Sequence, residues 1–169
     1  CTKKRIDEKA SNKASGLIYD KLFIRHWDTW ADGRRNQLYV APLTASHVGV
    51  PVKVSRGIDG DVPSKPFGDA SEFAWSPDSK EIVFSVRIAG KTEAWSTNFD
   101  LYHVTAAGKS APQNLTASNL AWDTAPLFSP DGKTLYYTAM SRPGFEADRF
   151  AIMALDLATG KKRELTPNW

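Results

Sequence analysis

The sequence predicts an all-β chain: part of a β-propeller, with about three four-stranded antiparallel blades behind a short helical or flexible leader. Three observations predict it. The segment Phe73-Ala74-Trp75-Ser76-Pro77-Asp78-Ser79-Lys80-Glu81-Ile82-Val83-Phe84-Ser85 recurs as Pro126-Leu127-Phe128-Ser129-Pro130-Asp131-Gly132-Lys133-Thr134-Leu135-Tyr136-Tyr137-Thr138, 53 residues on. Each copy joins an aromatic segment to an alternating apolar one through a Pro-Asp turn, which is the pattern of a β-hairpin. Further strands and glycine turns follow each copy at matching places, giving four strands in roughly 50 residues, the size of one propeller blade.

The leader spans 1–16. Ile6, Ala10 and Ala14 recur every four residues, which suits a short amphipathic helix. Residues 17–55 read as an incomplete blade, with strands at Lys21 to Trp27, Asn36 to Ala41 and Val52 to Val54 and no Ser-Pro-Asp turn. Residues 56–117 form a complete blade. Its third strand is Asp100 to Val104, and Asn114-Leu115-Thr116 lies near the end of its fourth. Residues 118–169 repeat this, with Ala151 to Leu155 and Glu164-Leu165-Thr166 in the equivalent places. The turns Ala107-Gly108-Lys109 and Thr159-Gly160-Lys161 close the outer hairpins. Cys1 at the start and Leu165-Thr166-Pro167-Asn168-Trp169 at the end read as the ends of a piece cut at the start of the next blade, although Cys1 also fits an acylated lipoprotein terminus.

Composition excludes several classes. With 41% hydrophobic residues the chain can fill a core, so a disordered tail does not fit. No apolar run approaches the ~20 residues that span a bilayer. One cysteine excludes a disulfide framework and a Cys-rich zinc site. His26, His47 and His103 are scattered, so no metal or other cofactor is expected. The pI near 9.0 suggests a nucleic-acid partner, but the excess charge belongs to the leader. Residues 1–14 hold Lys3, Lys4, Arg5, Lys9 and Lys13 against Asp7 and Glu8, and the rest of the chain carries equal numbers of acidic and basic side chains. No nucleic-acid partner is therefore expected. Lys161-Lys162-Arg163 reads as an exposed turn and edge-strand start.

Blade geometry sorts the loops. The Ser-Pro-Asp turns share one face of the disc, so Ser76 and Ser129 are turn residues rather than nucleophiles. The opposite face collects the longer loops 27–36, 88–99 and 141–149. These loops carry groups suited to recognition, namely Asp28, Trp30, Glu93, Trp95, Asn98, Arg142, Phe145, Glu146, Asp148 and Arg149. Trp75, Trp122 and Phe128 are expected to pack between blades.

The paired Trp/Phe-Ser-Pro-Asp-Gly/Ser-Lys turns resemble the WD40-like repeats of TolB and of the prolyl oligopeptidase family of serine peptidases. Two longer strings, Tyr19-Asp20-Lys21-Leu22-Phe23 with Arg25-His26-Trp27-Asp28-Thr29-Trp30, and Glu93-Ala94-Trp95-Ser96-Thr97-Asn98-Phe99-Asp100-Leu101-Tyr102, are similar to the N-terminal propeller of its dipeptidyl-peptidase 5-like and acylaminoacyl-peptidase-like members. The resemblance covers 17–169. It implies a periplasmic or secreted parent exopeptidase in which the propeller gates and helps select peptides for an α/β-hydrolase domain carrying the catalytic Ser, Asp and His. The alternative is a TolB-like scaffold that binds proteins and performs no chemistry. No Gly-x-Ser-x-Gly string is present, so no catalytic residue is assigned and the chain alone is expected to be inactive. The resemblance gives the loops a task. Glu93, Glu146, Asp28 or Asp148 would hold a peptide's cationic N-terminus, with Trp27, Trp30, Trp95 and Phe145 as apolar walls. The implied partners are the peptide substrate, the hydrolase domain in cis, and further copies of the chain, because uncovered blade faces favour self-association.

Overall fold

The computed structural model describes residues 2–16, 18–19 and 24–169. The leader forms helix α1 (Thr2–Ser11), where Lys4 and Glu8 stand one turn apart as an ion pair. Strands β1 (Arg25–His26) and β2 (Thr29–Trp30) form a two-stranded ladder, and β3 (Tyr39–Val40) and β4 (Val52–Lys53) form another. A four-stranded antiparallel sheet follows: β5 (Phe73–Trp75), β6 (Glu81–Arg87), β7 (Phe99–Thr105) and β8 (Gln113–Asn114), in chain order. A third unit repeats it with β9 (Asp123–Phe128), β10 (Thr134–Ala139), β11 (Ala151–Asp156) and β12 (Lys162–Glu164).

Two four-stranded antiparallel sheets therefore stand at the two copies of the repeat. The first 55 residues are less regular than the sequence suggests. The strand expected from Lys21 to Trp27 lies partly outside the described residues, and its described part is the two-residue β1. Trp27 and Asp28, expected to open a long loop, instead make a tight turn between β1 and β2, with Trp27 at φ 50°. The strand expected over Asn36 to Ala41 shrinks to β3, because Asn36 and Leu38 send their amide N–H groups to the Asp61 carboxylate and the Ser55 hydroxyl instead of to a ladder.

The repeated turn explains itself. The Ser76 hydroxyl donates to Asp78 Oδ1 at 2.7 Å and accepts from the amides of Glu81 and Lys80 at 2.9 and 3.2 Å. Ser129 repeats this, donating to Asp131 at 2.6 Å and accepting from Thr134 N at 2.9 Å. One small hydroxyl thus satisfies backbone donors that the hairpin leaves unpaired.

The core lies in two seams. Val54, Val62, Ile82, Phe84, Val86 and Val104 fill the seam between the N-terminal segments and the first four-stranded sheet, with Leu38 and Val40 against them. Val83, Leu101, Phe128, Leu135, Tyr137, Ala139 and Leu155 fill the seam between the two four-stranded sheets. Ile82, Phe84 and Val86 face one seam and Val83 faces the other, so β6 is buried on both sides as strand alternation requires. Phe128 packs between blades as expected, and Trp122 stacks on Phe99 at 4.7 Å. Trp75 does not, being 43% exposed at the end of short β5. The outer face of the last sheet presents Leu127, Tyr136 and Ile152 to solvent.

Candidate functional site

The three loops on the face opposite the Ser-Pro-Asp turns meet edge to edge. Arg35, just after β2, reaches Glu93 in the loop between β6 and β7, and its guanidinium donates to both carboxylate oxygens at 3.1 Å. The amide of Gly144, between β10 and β11, donates to Thr97 Oγ1 at 2.9 Å. Gly144 turns there with a positive φ of 75°, which glycine adopts without strain.

Beside the first junction lies a cleft of about 1250 Å³, bordered by α1, the β1–β2 hairpin, the 59–66 segment and the start of the 88–99 loop. Arg35 is its electrostatic centre. It also donates to Asp61 at 3.0 Å and stands 3.4 Å from Asp59, while Lys65 pairs with Asp61 at 3.2 Å. Around Arg35 three carboxylates thus face two cations, while the cleft wall beyond them is basic: Arg5, Lys9, Arg25, Arg34 and Arg87 also line it, against Asp32. The hydrogen bonds it donates to Glu93, then the one to Asp61, hold the Arg35 guanidinium above its ordinary pKa against the opposing effect of burial. Aromatic groups line the rim. Trp30 is 57% exposed, with Tyr19 stacked at 6.2 Å and Arg25 over its ring at 5.7 Å. Trp27 is 69% exposed and packs on Phe67.

The other sequence-selected residues divide by their partners. Asp148 is a staple inside its own loop. It accepts from the Ser141 and Arg142 amides at 2.9 and 2.8 Å and from Arg142 Nε at 2.8 Å, and its side chain is only 4% exposed. The Ser141 amide, followed by Arg142, holds its carboxyl well below the usual carboxylate range. Arg142 lies 4.0 Å from the Phe145 ring, and Arg149 pairs with Glu164 on β12 at 2.7 Å. These groups shape the 141–149 loop from within. The Asn98 amide, with its nitrogen toward the chain, donates to the Asn119 and Ala121 carbonyls and ties the 88–99 loop to the next blade. Asp28 is exposed and accepts from Thr29 Oγ1 at 3.4 Å. Trp95, Phe145 and Glu146 are exposed near the second junction. Of the ten, Trp30 and Glu93 border the cleft.

Sequence reasoning missed Arg35, Asp59, Asp61 and Lys65. The available signal was charge density: Arg34-Arg35 and Asp59-Gly60-Asp61 lie in segments with no helical or strand period. Among the described residues, no cluster of three metal-ligating side chains is present, and no helix is long and apolar enough to cross a membrane.

Known proteins resemble this architecture and this sequence. No protein-family profile matches the chain. Dipeptidyl-peptidase 5 of Porphyromonas gingivalis is 32% identical over 160 residues, covering 94% of this chain and 23% of that protein. Dipeptidyl-peptidase 5 of Porphyromonas endodontalis is 34% identical over 145 residues, covering 85% and 21%. A probable dipeptidyl-peptidase 5 of Emericella nidulans is 29% identical, covering 92% and 23%. Among solved structures, a putative TolB from Agrobacterium tumefaciens superimposes with a TM-score of 0.51 at 22% identity, over 76% of this chain and 39% of that one, which bears on the fold alone. The chain, a run of propeller blades spanning about a quarter of the curated relatives it matches, is thus a homologue of dipeptidyl-peptidase 5.

Proposed function

We propose that this chain is the substrate-bordering propeller portion of a serine exopeptidase of the prolyl oligopeptidase family, dipeptidyl-peptidase or acylaminoacyl-peptidase in type. Its loops gate and help select peptides, and a separate α/β-hydrolase domain performs the chemistry. A periplasmic or secreted parent belongs to the same proposal. The observation that carries it is the junction of Arg35 and Glu93 at the wall of an aromatic-rimmed cleft.

The chemistry is electrostatic. A dipeptide-releasing enzyme must recognise an ammonium group at the substrate's end, and carboxylates held at fixed positions in a cleft can accept its hydrogen bonds. Glu93 does not wait empty, since Arg35 occupies both its oxygens. Asp59, Asp61 and Glu93 act as a set, with Arg35 fixing their positions and their remaining acceptor sites taking the ammonium. Trp27 and Trp30 offer apolar surface for the first side chains.

The test uses the full-length parent. Glu93→Gln removes one charge from the set and is expected to raise KM for free-amine substrates about tenfold, with kcat changed much less. N-blocked substrates should lose little. If Glu93→Gln leaves KM for free-amine substrates unchanged, the ammonium-anchoring reading is wrong.

A further inference from the structure

Behind the loop face, at the seam between the two four-stranded sheets, a buried aspartate, Asp123, and a half-buried one, Asp100, present more buried acceptor atoms than donors. Asp123, the first residue of β9, is fully buried. Its Oδ1 accepts from Asn119 Nδ2 at 2.8 Å, and its Oδ2 has no partner. Asp100, the second residue of β7, accepts from Asn114 Nδ2 at 2.9 Å on Oδ2, and its buried Oδ1 is likewise unpartnered. The Thr116 side chain lies near both carboxyls. Its oxygen already accepts from Leu101 N at 2.9 Å, and it has one proton to give. One hydroxyl cannot satisfy two carboxylates. Buried acceptors in native proteins find a donor, and the simplest donor here is a proton on one carboxyl.

The same groups hold the loop bases. Asn119 donates to the Met140 carbonyl at 2.9 Å as well as to Asp123, and Met140 N donates to the Trp122 carbonyl at 2.8 Å. Ser85 of β6 donates to the Asp123 carbonyl at 2.7 Å. Phe99, next to Asp100, stacks on Trp122, next to Asp123. The pair thus sits where the 88–99 and 141–149 loops are rooted.

We propose that Asp100 and Asp123 form a proton-loaded latch at the blade seam: with one of the two carboxyls protonated the two loops are locked in register, and with both ionised the seam loosens. The charged and titratable groups facing the pair are Lys162 from β12 and Tyr137 from β10 beside Asp123, and Lys162 and Tyr102, which shares the Asn114 amide, beside Asp100. Lys162 favours ionisation from the seam's edge, where it also donates to Ser118 at 3.3 Å. Burial dominates over it, pushing Asp123 up to about 7 and Asp100 and Tyr137 upward as well. Because the carboxyls interact, the titration belongs to the pair.

The sign follows from linkage. The folded pair binds a proton that the unfolded chain has already released above about pH 4, so this contribution to stability is fully present below about pH 4 and is lost as pH rises from there to about 7. The proton leaves to bulk water. The latch acts on the loops whatever they bind.

The test is a carboxyl carbon NMR titration of the 169-residue chain, with amide exchange of Met140 and Gly144 followed in parallel. One aspartate carboxyl is expected to titrate near neutrality, and its signal should vanish in Asp123→Asn. Between about pH 6 and pH 8, exchange at both amides should rise at least about threefold beyond base catalysis in the wild type and not in Asp123→Asn. Every aspartate titrating below about pH 5 in the wild type overturns the proposal, even if Asp123→Asn fails to fold. Equal loss of protection in both proteins overturns it too.

Discussion

Ser79 and Gly132 occupy the same corner of two equivalent turns, and both have left-handed backbone, with φ 58° and 70°. The first turn asks a residue with a Cβ to adopt what the second gives to glycine. Ser79→Gly is therefore expected to stabilise the chain by about 0.5–1 kcal/mol, measured as a shift in urea midpoint without a change in slope. An unchanged or lowered midpoint would show that the corner is unstrained.

The Ser129 hydroxyl is nearly buried and serves Thr134 N and Asp131 together. Ser129→Ala leaves an amide without its acceptor and is expected to cost about 1–3 kcal/mol. Ser129→Thr keeps the hydroxyl and should recover part of that loss, which separates hydrogen bonding from packing.

The turn and loop aspartates set an acid limb. Asp78 and Asp131 are held below their ordinary pKa, first by Ser76 and Ser129, and Asp148 by the Ser141 amide. A depressed folded pKa contributes stability present above the unfolded value and lost as pH falls through the folded one. The chain is expected to lose stability below about pH 4, and Asp148→Asn should flatten that decline in denaturation curves run from pH 5 to pH 2.

Arg35 and Glu93, 58 residues apart, tie the N-terminal segment to the first complete blade. Both are partly buried and their contact is two-pronged, so a double-mutant cycle with Arg35→Met and Glu93→Gln should give a coupling of about 1 kcal/mol. Coupling near zero would mark the pair as a surface contact without structural weight.

The outer face of the last sheet repeats the inner seam. By the repeat, Leu127, Tyr136 and Ile152 stand where Ala74, Val83 and Leu101 pack in the preceding blade. These three are exposed and apolar, and a second copy of the chain is expected to cover them. Sedimentation at rising concentration should show association, and Leu127→Lys should abolish it. A monomer throughout the range would refute it.

The parts of the fold that sequence foretold are those with local causes. The Ser-Pro-Asp turns close through bonds spanning two to five residues, so their residue types announce them. Strands β6 and β7 alternate between two cores, β10 and β11 between one core and solvent, and all four read clearly. The first 55 residues carry no such period, since Asn36 and Leu38 bond to distant side chains instead of a ladder. The site was legible only as loops. Glu146 and Asp148 look equivalent in sequence, yet amides six and seven residues back make Asp148 a staple. Arg35 found its role only through Asp61 and Glu93, 26 and 58 residues away.

Strand β6 belongs to both cores, and that has a consequence for how the chain melts. A tandem array can lose its end units one by one when each seam is independent. Here, removing the last sheet would bare Val83 and Leu101 on the same ladder whose other side carries Ile82 and Phe84. Neither seam survives without that ladder. The two cores should therefore come apart in one cooperative transition, with the β6 amides the last to yield their protons to solvent.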